Sequence, residues 1–212
     1  WTPAQATVDM RNANYFASWI DIPLEDRDFP LKLLQRTYNS RTRHDGLFGF
    51  GWCSDFETRL EFSFEGSITK VHCGAGMKVR FEPEGSDIQV RRRQLIDRIM
   101  LGVDEDAHLA AQQARLPIAL SEADRGSLRQ RLAESAAREE FASRLGLSRP
   151  TSAGRYSHLG AVLRHTGEGF ELEWEKSFER FDNQGRLIQI VDDQGRAATL
   201  HYENERLTRV VS

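Results

Sequence analysis

With 39% apolar and 29% charged side chains, a chain of 212 residues has enough material for one core, or for one and a half domains, under a well-solvated surface. A net charge of −3 excludes a nucleic-acid surface built on bulk positive charge, and no apolar run nears the roughly 18–20 residues of a membrane-spanning helix. The chain opens on Trp1 and not on Met, as expected of a processed product or of a piece cut from a longer protein.

Three compositional regions follow one another, at 1–90, 91–150 and 151–212. The first is rich in aromatics, glycine and alternating apolar positions, and it predicts a β-meander. Leu60, Phe62 and Phe64 share one strand face, and Met77, Val79 and Phe81 share another. Glu65-Gly66-Ser67, Gly74-Ala75-Gly76 and Glu84-Gly85 supply turns. No glycine here sits between a strand and a convincing helix, so a phosphate-binding loop is not expected.

In the second region the period changes. Leu95, Ile96, Ile99 and Met100 have helical spacing, and Gly102 is expected to end that run. A second helix is expected from near Asp104 to before Pro117. A third opens on the capping-box pattern Ser127-Leu128-Arg129-Gln130, carries Leu128, Leu132, Phe141 and Leu145 as apolar positions, and stops at Gly146. Arg91-Arg92-Arg93 reads as a solvated lead into the first helix. The region is thus a helical insertion in a β chain, and packing on the β-core is the expected use of its apolar stripe. A plug for one end of a larger structure, a docking surface and an insertion without a role of its own are the alternatives.

The third region returns to strands. Phe170, Leu172 and Trp174 alternate with Glu171, Glu173 and Glu175. Phe181-Asp182-Asn183-Gln184-Gly185-Arg186-Leu187, followed by Ile190, recurs as Tyr202-Glu203-Asn204-Glu205-Arg206-Leu207, followed by Val210. The second copy is one residue shorter and lacks the glycine. A strand–turn–strand unit recurring at about 21 residues is the pattern of a repeat array.

These repeats, with the intervening Asp192-Asp193-Gln194-Gly195-Arg196, resemble the YD repeats of Rhs proteins, which teneurins and the B and C components of insecticidal toxin complexes share. A second set of residues is more specific: Arg36, Tyr38, Asn39, Ser40 and Arg41, then Gly46, Gly49, Gly51 and Trp52 within Gly46-Leu47-Phe48-Gly49-Phe50-Gly51-Trp52, then Asp55-Phe56-Glu57. They resemble the segment that opens the repeat region of bacterial Rhs proteins, and Asp21-Ile22-Pro23-Leu24 and Phe29-Pro30-Leu31 resemble its lead-in strands. Together the matches cover most of 8–90 and 155–212, and residues 91–150 have no counterpart.

The resemblance implies a mainly β, antiparallel hairpin sheet that forms part of a hollow shell. It implies a structural, non-catalytic role at the N-terminal opening of a shell that encapsulates a polymorphic toxin and helps deliver it in interbacterial competition. The implied partners are the rest of the shell and its C-terminal toxin domain, with a secretion-system component as a further one. The implied itinerary is synthesis in the bacterial cytoplasm, then secretion or display at the cell surface. The alternative is an extracellular recognition or adhesion module that binds carbohydrate or a partner protein through exposed aromatic strand faces. The implied structural residues are those of the opening segment together with Phe181, Asp182, Gly185, Arg186, Tyr202 and Arg206.

No catalytic, cofactor-binding or metal-binding residue is expected. Asp182, Asp192 and Asp193 fit turns, because Asp and Asn side chains bond their own backbone and Gly permits positive φ. Adjacent Asp192 and Asp193 would point to opposite faces of a strand, which does not suit a paired-carboxylate glycosidase. The six histidines include no closely spaced ligand pair, and Ser40, Ser54 and His44 lie in no nucleophile elbow. Cys53 and Cys73 are expected as free, buried thiols: in a 58–64/67–73 hairpin Cys73 faces residue 58 or 59, leaving Cys53 several residues away. A bridge made through another strand is the alternative. Trp52 is expected to be largely buried, with Gly46, Gly49 and Gly51 letting the chain turn around it.

Overall fold

The computed structural model describes residues 5–10, 13–23, 29–31, 33–42, 44–73, 77–114, 121–150 and 154–212. Leu24 of the lead-in, the expected turn Gly74-Ala75-Gly76 and the surroundings of Pro117 lie outside the described residues. The fold is mainly β, with antiparallel sheets and a helical segment, as the alternating patterns require.

Contacts divide the chain into two compact units: 1–61 with 68–84 and 153–212, and 62–67 with 85–152. In the first, β1 (Gln5–Asp9), β2 (Asn14–Pro23), β3 (Leu33–Asn39) and a short β6 (Trp52–Ser54) form a sheet in the order β1-β2-β3-β6. The two-residue strands β4 (Asp45–Gly46) and β5 (Gly49–Phe50) make a small hairpin between β3 and β6. A 3₁₀ turn at Asp55–Glu57 leads into the second, larger sheet.

That sheet has ten strands in sequential order: β7 (Arg59–Phe62), β8 (Ile68–His72), β9 (Met77–Pro83), β10 (Arg155–His158), β11 (Ala161–His165), β12 (Gly169–Trp174), β13 (Ser177–Asp182), β14 (Leu187–Val191), β15 (Ala197–Glu203) and β16 (Arg206–Val211). One buried side chain after another meets across neighbouring strands: Ile68 opposite Phe81, Tyr156 opposite Leu163, Leu163 opposite Leu172, and Phe170 opposite Phe181. Each such side chain contributes about 1.5–3 kcal/mol when taken from water. Trp174 and Met77, expected on those apolar faces, lie at strand ends and are exposed.

The sheet is curled into a half-barrel. Arg59 bridges to Arg186, and the Leu60 amide donates to the Gly185 carbonyl at 2.8 Å, joining β7 to the start of β14. Lys70 on β8 reaches Glu179 on β13, five strands away in the sheet order, with Nζ at 2.5 Å from Oε2. Neither contact is possible in a flat sheet, where strands five apart are separated by about 24 Å.

The helical unit is spliced between β9 and β10, which still pair directly, Tyr156 opposite Pro83. Its helices are α1 (Ile88–Ala114), α2 (Glu122–Arg131) and α3 (Ser135–Arg144). Two expectations are corrected here. Gly102 does not end the first helix, and the two helices expected on either side of it are one. A lone glycine costs a helix only about 1 kcal/mol; here a Cβ at Gly102 would stand 3.1 Å from Leu145 Cδ1, so the small residue lets α3's end pack closely. Ser127 does not open a helix either. Ser121 caps α2, accepting from the Asp124 amide at 3.2 Å, and the chain breaks instead between Leu132 and Ser135. Gly146 adopts φ +62° just beyond α3, as its expected stop role demands.

The stripe Leu95, Ile99 and Met100 packs with Leu132, Ala142 and Phe64, and Phe64 comes from the tip of the β7–β8 hairpin. That tip, 62–67, belongs to the helical unit. Arg138, buried in α3, donates from Nε to Glu65 Oε1 at 2.6 Å and from Nη1 to the Leu132 and Ala133 carbonyls, both at 2.7 Å.

Candidate functional site

The opening segment folds around one side chain, Glu57. Its Oε1 accepts from the Leu47 amide at 2.7 Å and lies 3.1 Å from His44 Nε2. Its Oε2 accepts from the Ser54 amide at 2.8 Å and the Ser54 hydroxyl at 3.0 Å. A Cβ on Gly46 would come within 2.0 Å of Glu57 Oε1 and 2.4 Å of His44 Nε2, so any side chain there would push the His44–Glu57 pair apart. Gly51 has φ +82° and lies so close to the Tyr38 ring that a Cβ would meet Cε2 at 2.7 Å. Gly49, at φ +90°, is needed for its backbone angle alone.

The remaining residues of the segment tie β3 to its neighbours. Ser40 accepts from the Tyr15 amide at 2.9 Å through its hydroxyl and donates to Asn14 Oδ1 at 3.1 Å; the Asn39 amide donates to the Gly51 carbonyl at 2.9 Å, and Asn39 Oδ1 accepts from the Arg41 amide at 3.0 Å. Trp52 is largely covered, as expected, with part of its ring still exposed. It forms the middle of an aromatic row, 5.0 Å from Trp19 and 5.4 Å from Tyr38, with the Arg36 guanidinium 4.9 Å from its ring centre. It sits on the four-stranded sheet at the short strand β6, where few strands are available to cover it.

A cleft of about 550 Å³ opens beside Glu57 and His44. Its far wall comes from the repeats: Arg186, Tyr202, Glu205 and Arg206. The fold thus brings together the opening segment and the repeat motif, which the sequence reading treated separately. The Tyr202 hydroxyl donates to the Leu187 carbonyl at 2.8 Å, and Arg186 lies over its ring at 5.1 Å. Burial pushes the Tyr202 phenol up to about 12 against the pull of the Arg186 cation, so it is a neutral donor at physiological pH.

The repeat acids hold turns. At Asp182, Oδ1 accepts from the Gln184 and Arg186 amides, both at 2.9 Å, and Oδ2 accepts from Arg186 Nε at 2.7 Å; at Asp192 the corresponding bonds from Gln194, Arg196 and Arg196 Nε are 3.0, 2.9 and 2.6 Å. Gly185 and Gly195 follow at φ +84° and +81°. Burial pushes the Asp192 carboxyl up, but the Arg196 guanidinium and the Arg196 and Gln194 amides outweigh it and hold the group below its ordinary range. Asp193 points to solvent from the turn.

Two side-chain groups were missed in the sequence. On the inner side of the curl, the Lys70–Glu179 pair stands near Asp55 and His72. Burial raises the Asp55 carboxyl, partly offset by His72 and Lys70, and burial together with Lys70 lowers the His72 imidazole. No spacing signals this quartet, because a curl between distant strands assembles it.

The second group is Cys53, Cys73 and His44, whose ligand atoms lie within 4.8 Å of one another. Cys53 and Cys73 form a disulfide with a Cα–Cα distance of 5.5 Å, which corrects the expectation of free thiols. That expectation took the chain to be extended from Cys53 to the hairpin. The 3₁₀ turn at Asp55–Glu57 advances only about 2 Å per residue instead of about 3.3 Å, and it redirects the chain so that β6 ends beside β8.

Residues 5–81 match the model of a family described as a domain of unknown function, DUF6531. The match contains the whole Glu57 assembly, both cysteines and the aromatic row. No curated protein matches the chain.

Proposed function

We propose that this chain is the non-catalytic opening part of an Rhs-type YD-repeat shell, one that encapsulates a polymorphic toxin and takes part in its delivery between competing bacteria. The observation that carries the reading is the way the sheet propagates. Both copies of the motif place a hairpin turn and a register shift at the same point, between Arg180 and Phe181 in one and between His201 and Tyr202 in the other. The two copies put Phe181 opposite Leu187 and Tyr202 opposite Leu207, so a further copy added at β16 would continue the same ladder. The family match over 5–81 coincides with the segment on which the resemblance to Rhs opening regions rests, and its description assigns that segment no function.

In this reading the Glu57 assembly is a junction. Tyr202 and Arg206 of a repeat form one wall of a cleft whose other wall is the opening segment, so the first turn of a repeat spiral is braced against its start. The inner quartet of Asp55, His72, Lys70 and Glu179 is then part of a polar inner surface and not an acid–base set.

The test is to express the chain with the downstream part of its reading frame and to follow assembly by size-exclusion chromatography with light scattering and by limited proteolysis. The expected result is one particle in which a C-terminal domain resists protease until the shell is opened. A chain that stays monomeric and ignores the downstream part at micromolar concentration refutes the proposal. So does turnover, in a broad hydrolase panel, that His72→Ala or Asp55→Ala abolishes.

The second reading, a recognition module for carbohydrate or protein, is favoured by one feature: Leu47 and Phe50 of the β4–β5 hairpin are exposed beside the aromatic row. Glycan-array binding lost in Phe50→Ala would support it over the first.

A further inference from the structure

We propose that Cys53, Cys73 and His44 form a zinc site in the reduced chain, and that the disulfide is the metal-free, oxidised state of the same site. The inference stands on the geometry of the opening segment and does not depend on the shell reading.

A disulfide needs two sulfurs and gains nothing from a third donor. Here an imidazole lies within 4.8 Å of both. Zn–S bonds of about 2.3 Å and a Zn–N bond of about 2.0 Å put tetrahedral donor atoms roughly 3.5–3.8 Å apart, so small side-chain rotations suffice once the sulfurs separate. The imidazole also has a carboxylate beside it. In the tautomer whose Nε2–H donates to Glu57 Oε1, 3.1 Å away, Nδ1 keeps the lone pair that a metal would take, and a carboxylate of this kind holds a ligating histidine in place. Glu57 is in turn fixed by the Leu47 and Ser54 amides, and Gly46 leaves room for the His44–Glu57 contact.

The charges suit the site as well. Cys53 is buried and the other two residues are partly buried, and two thiolates, a neutral imidazole and Zn²⁺ sum to zero. Three protein ligands leave the fourth tetrahedral position to water.

The interconversion balances simply. A dithiol reductant gives two electrons and two protons to the Cys53–Cys73 bond and becomes a disulfide itself. Zn²⁺ then displaces the two thiol protons. In a thiol-rich compartment the chain would carry zinc; where disulfides prevail, a disulfide oxidant would take two electrons from the two thiolates, with two protons from water become a dithiol, and leave the bridge closed and zinc released.

The test uses the full chain, reduced, freed of reductant without air and titrated with Zn²⁺ against a chromophoric chelator, and with Co²⁺ as a spectroscopic stand-in. One equivalent should bind, Co²⁺ should show thiolate charge-transfer and tetrahedral bands, and the oxidised chain should bind none. His44→Ala and Glu57→Gln should each weaken zinc binding about 10–100-fold, and Cys73→Ser should remove the thiolate band. Should Cys73→Ser fail to fold, the oxidised wild-type chain remains as the non-binding control. The proposal is overturned if the folded, reduced chain binds no stoichiometric metal. It is equally overturned if His44→Ala binds as tightly as the wild type, or if metal binds only as the circular-dichroism signal is lost.

Discussion

Replacing Glu65 with Ala tests how the helical unit is held together. Arg138 is 1% exposed and Glu65 3%, so neither charge has water to fall back on. The guanidinium meets Glu65 through two of its nitrogens, and Arg92 Nε stands a further 3.8 Å from the same carboxylate. Removing the carboxylate leaves a buried cation with only the Leu132 and Ala133 carbonyls to solvate it, a change that costs about 3–5 kcal/mol. By contrast, replacing both partners with apolar residues, Glu65→Leu with Arg138→Met, removes the unpaired charge. Its cost should fall to the loss of the two carbonyl bonds, about 1–3 kcal/mol. Urea melts followed by far-UV circular dichroism would give each value, and the double-mutant cycle would give the coupling. Since Glu65 and Arg138 lie in one compact unit, hydrogen exchange should show α3 losing protection first. A loss below about 1 kcal/mol for Glu65→Ala, the size seen for solvated surface pairs, would refute the buried-pair argument.

Tyr202→Phe should cost about 0.5–1.5 kcal/mol through the lost bond to the Leu187 carbonyl, and spectrophotometric titration of the wild type should find one phenol that does not ionise until about pH 12; full tyrosine ionisation near the ordinary value of 10 would contradict its burial. Trp52→Ala should cost about 3–5 kcal/mol, from a largely covered ring and its two aromatic neighbours; a loss below about 1 kcal/mol would mark the ring as exposed and free to bind. The His72 imidazole is held below its ordinary 6.5, so as pH falls through that value the unfolded chain takes up a proton that the folded chain refuses, and stability drops. Asp55, raised above 3.8, has the opposite sign: its carboxyl stays protonated to higher pH in the folded chain, so its contribution favours folding at low pH and is lost as pH rises through the folded value. His72→Gln should therefore flatten the fall in stability just below pH 6.5, and an unchanged profile would assign the fall to other groups.

How far the sequence could be read depended on the range of each interaction. Strand faces, the Asp-x-x-Gly-Arg turns and the Gly146 stop are local, and they were visible because 2.0 and 3.6 periods and turn chemistry act within a few residues. Glu57 was within reach too. Ser54-Asp55-Phe56-Glu57 has capping-box spacing, but the surrounding glycines and aromatics carry the stronger turn signal and mask it. Gly102 misled because composition does not reveal a neighbour: its missing side chain makes space for Leu145 and does not stop the helix. The inner quartet and the Cys53–Cys73 pair depend on a curl and on a tight turn between sheets, and no sequence period encodes either.

The shorter second repeat supports one more argument. Where the first copy uses a three-residue loop ending in Gly185, the second turns on Asn204 and Glu205, with φ of +47° and +67°. Two consecutive left-handed residues make the two-residue hairpin turn that strongly favours Asn-Gly, so Asn204 fits and Glu205 does not. A side chain in that conformation costs about 1–2 kcal/mol, set against roughly 0.5–1 kcal/mol of extra chain entropy when glycine replaces it. Glu205→Gly should therefore stabilise the chain by about 0.5–1 kcal/mol in thermal or urea melts, with strand content unchanged. Glu205 also lines the cleft beside Glu57, and strained residues persist where a site needs their side chains. If the variant melts earlier than the wild type, Glu205 is held by contacts within the cleft. The turn is then shaped by the junction with the opening segment and not by the repeat itself.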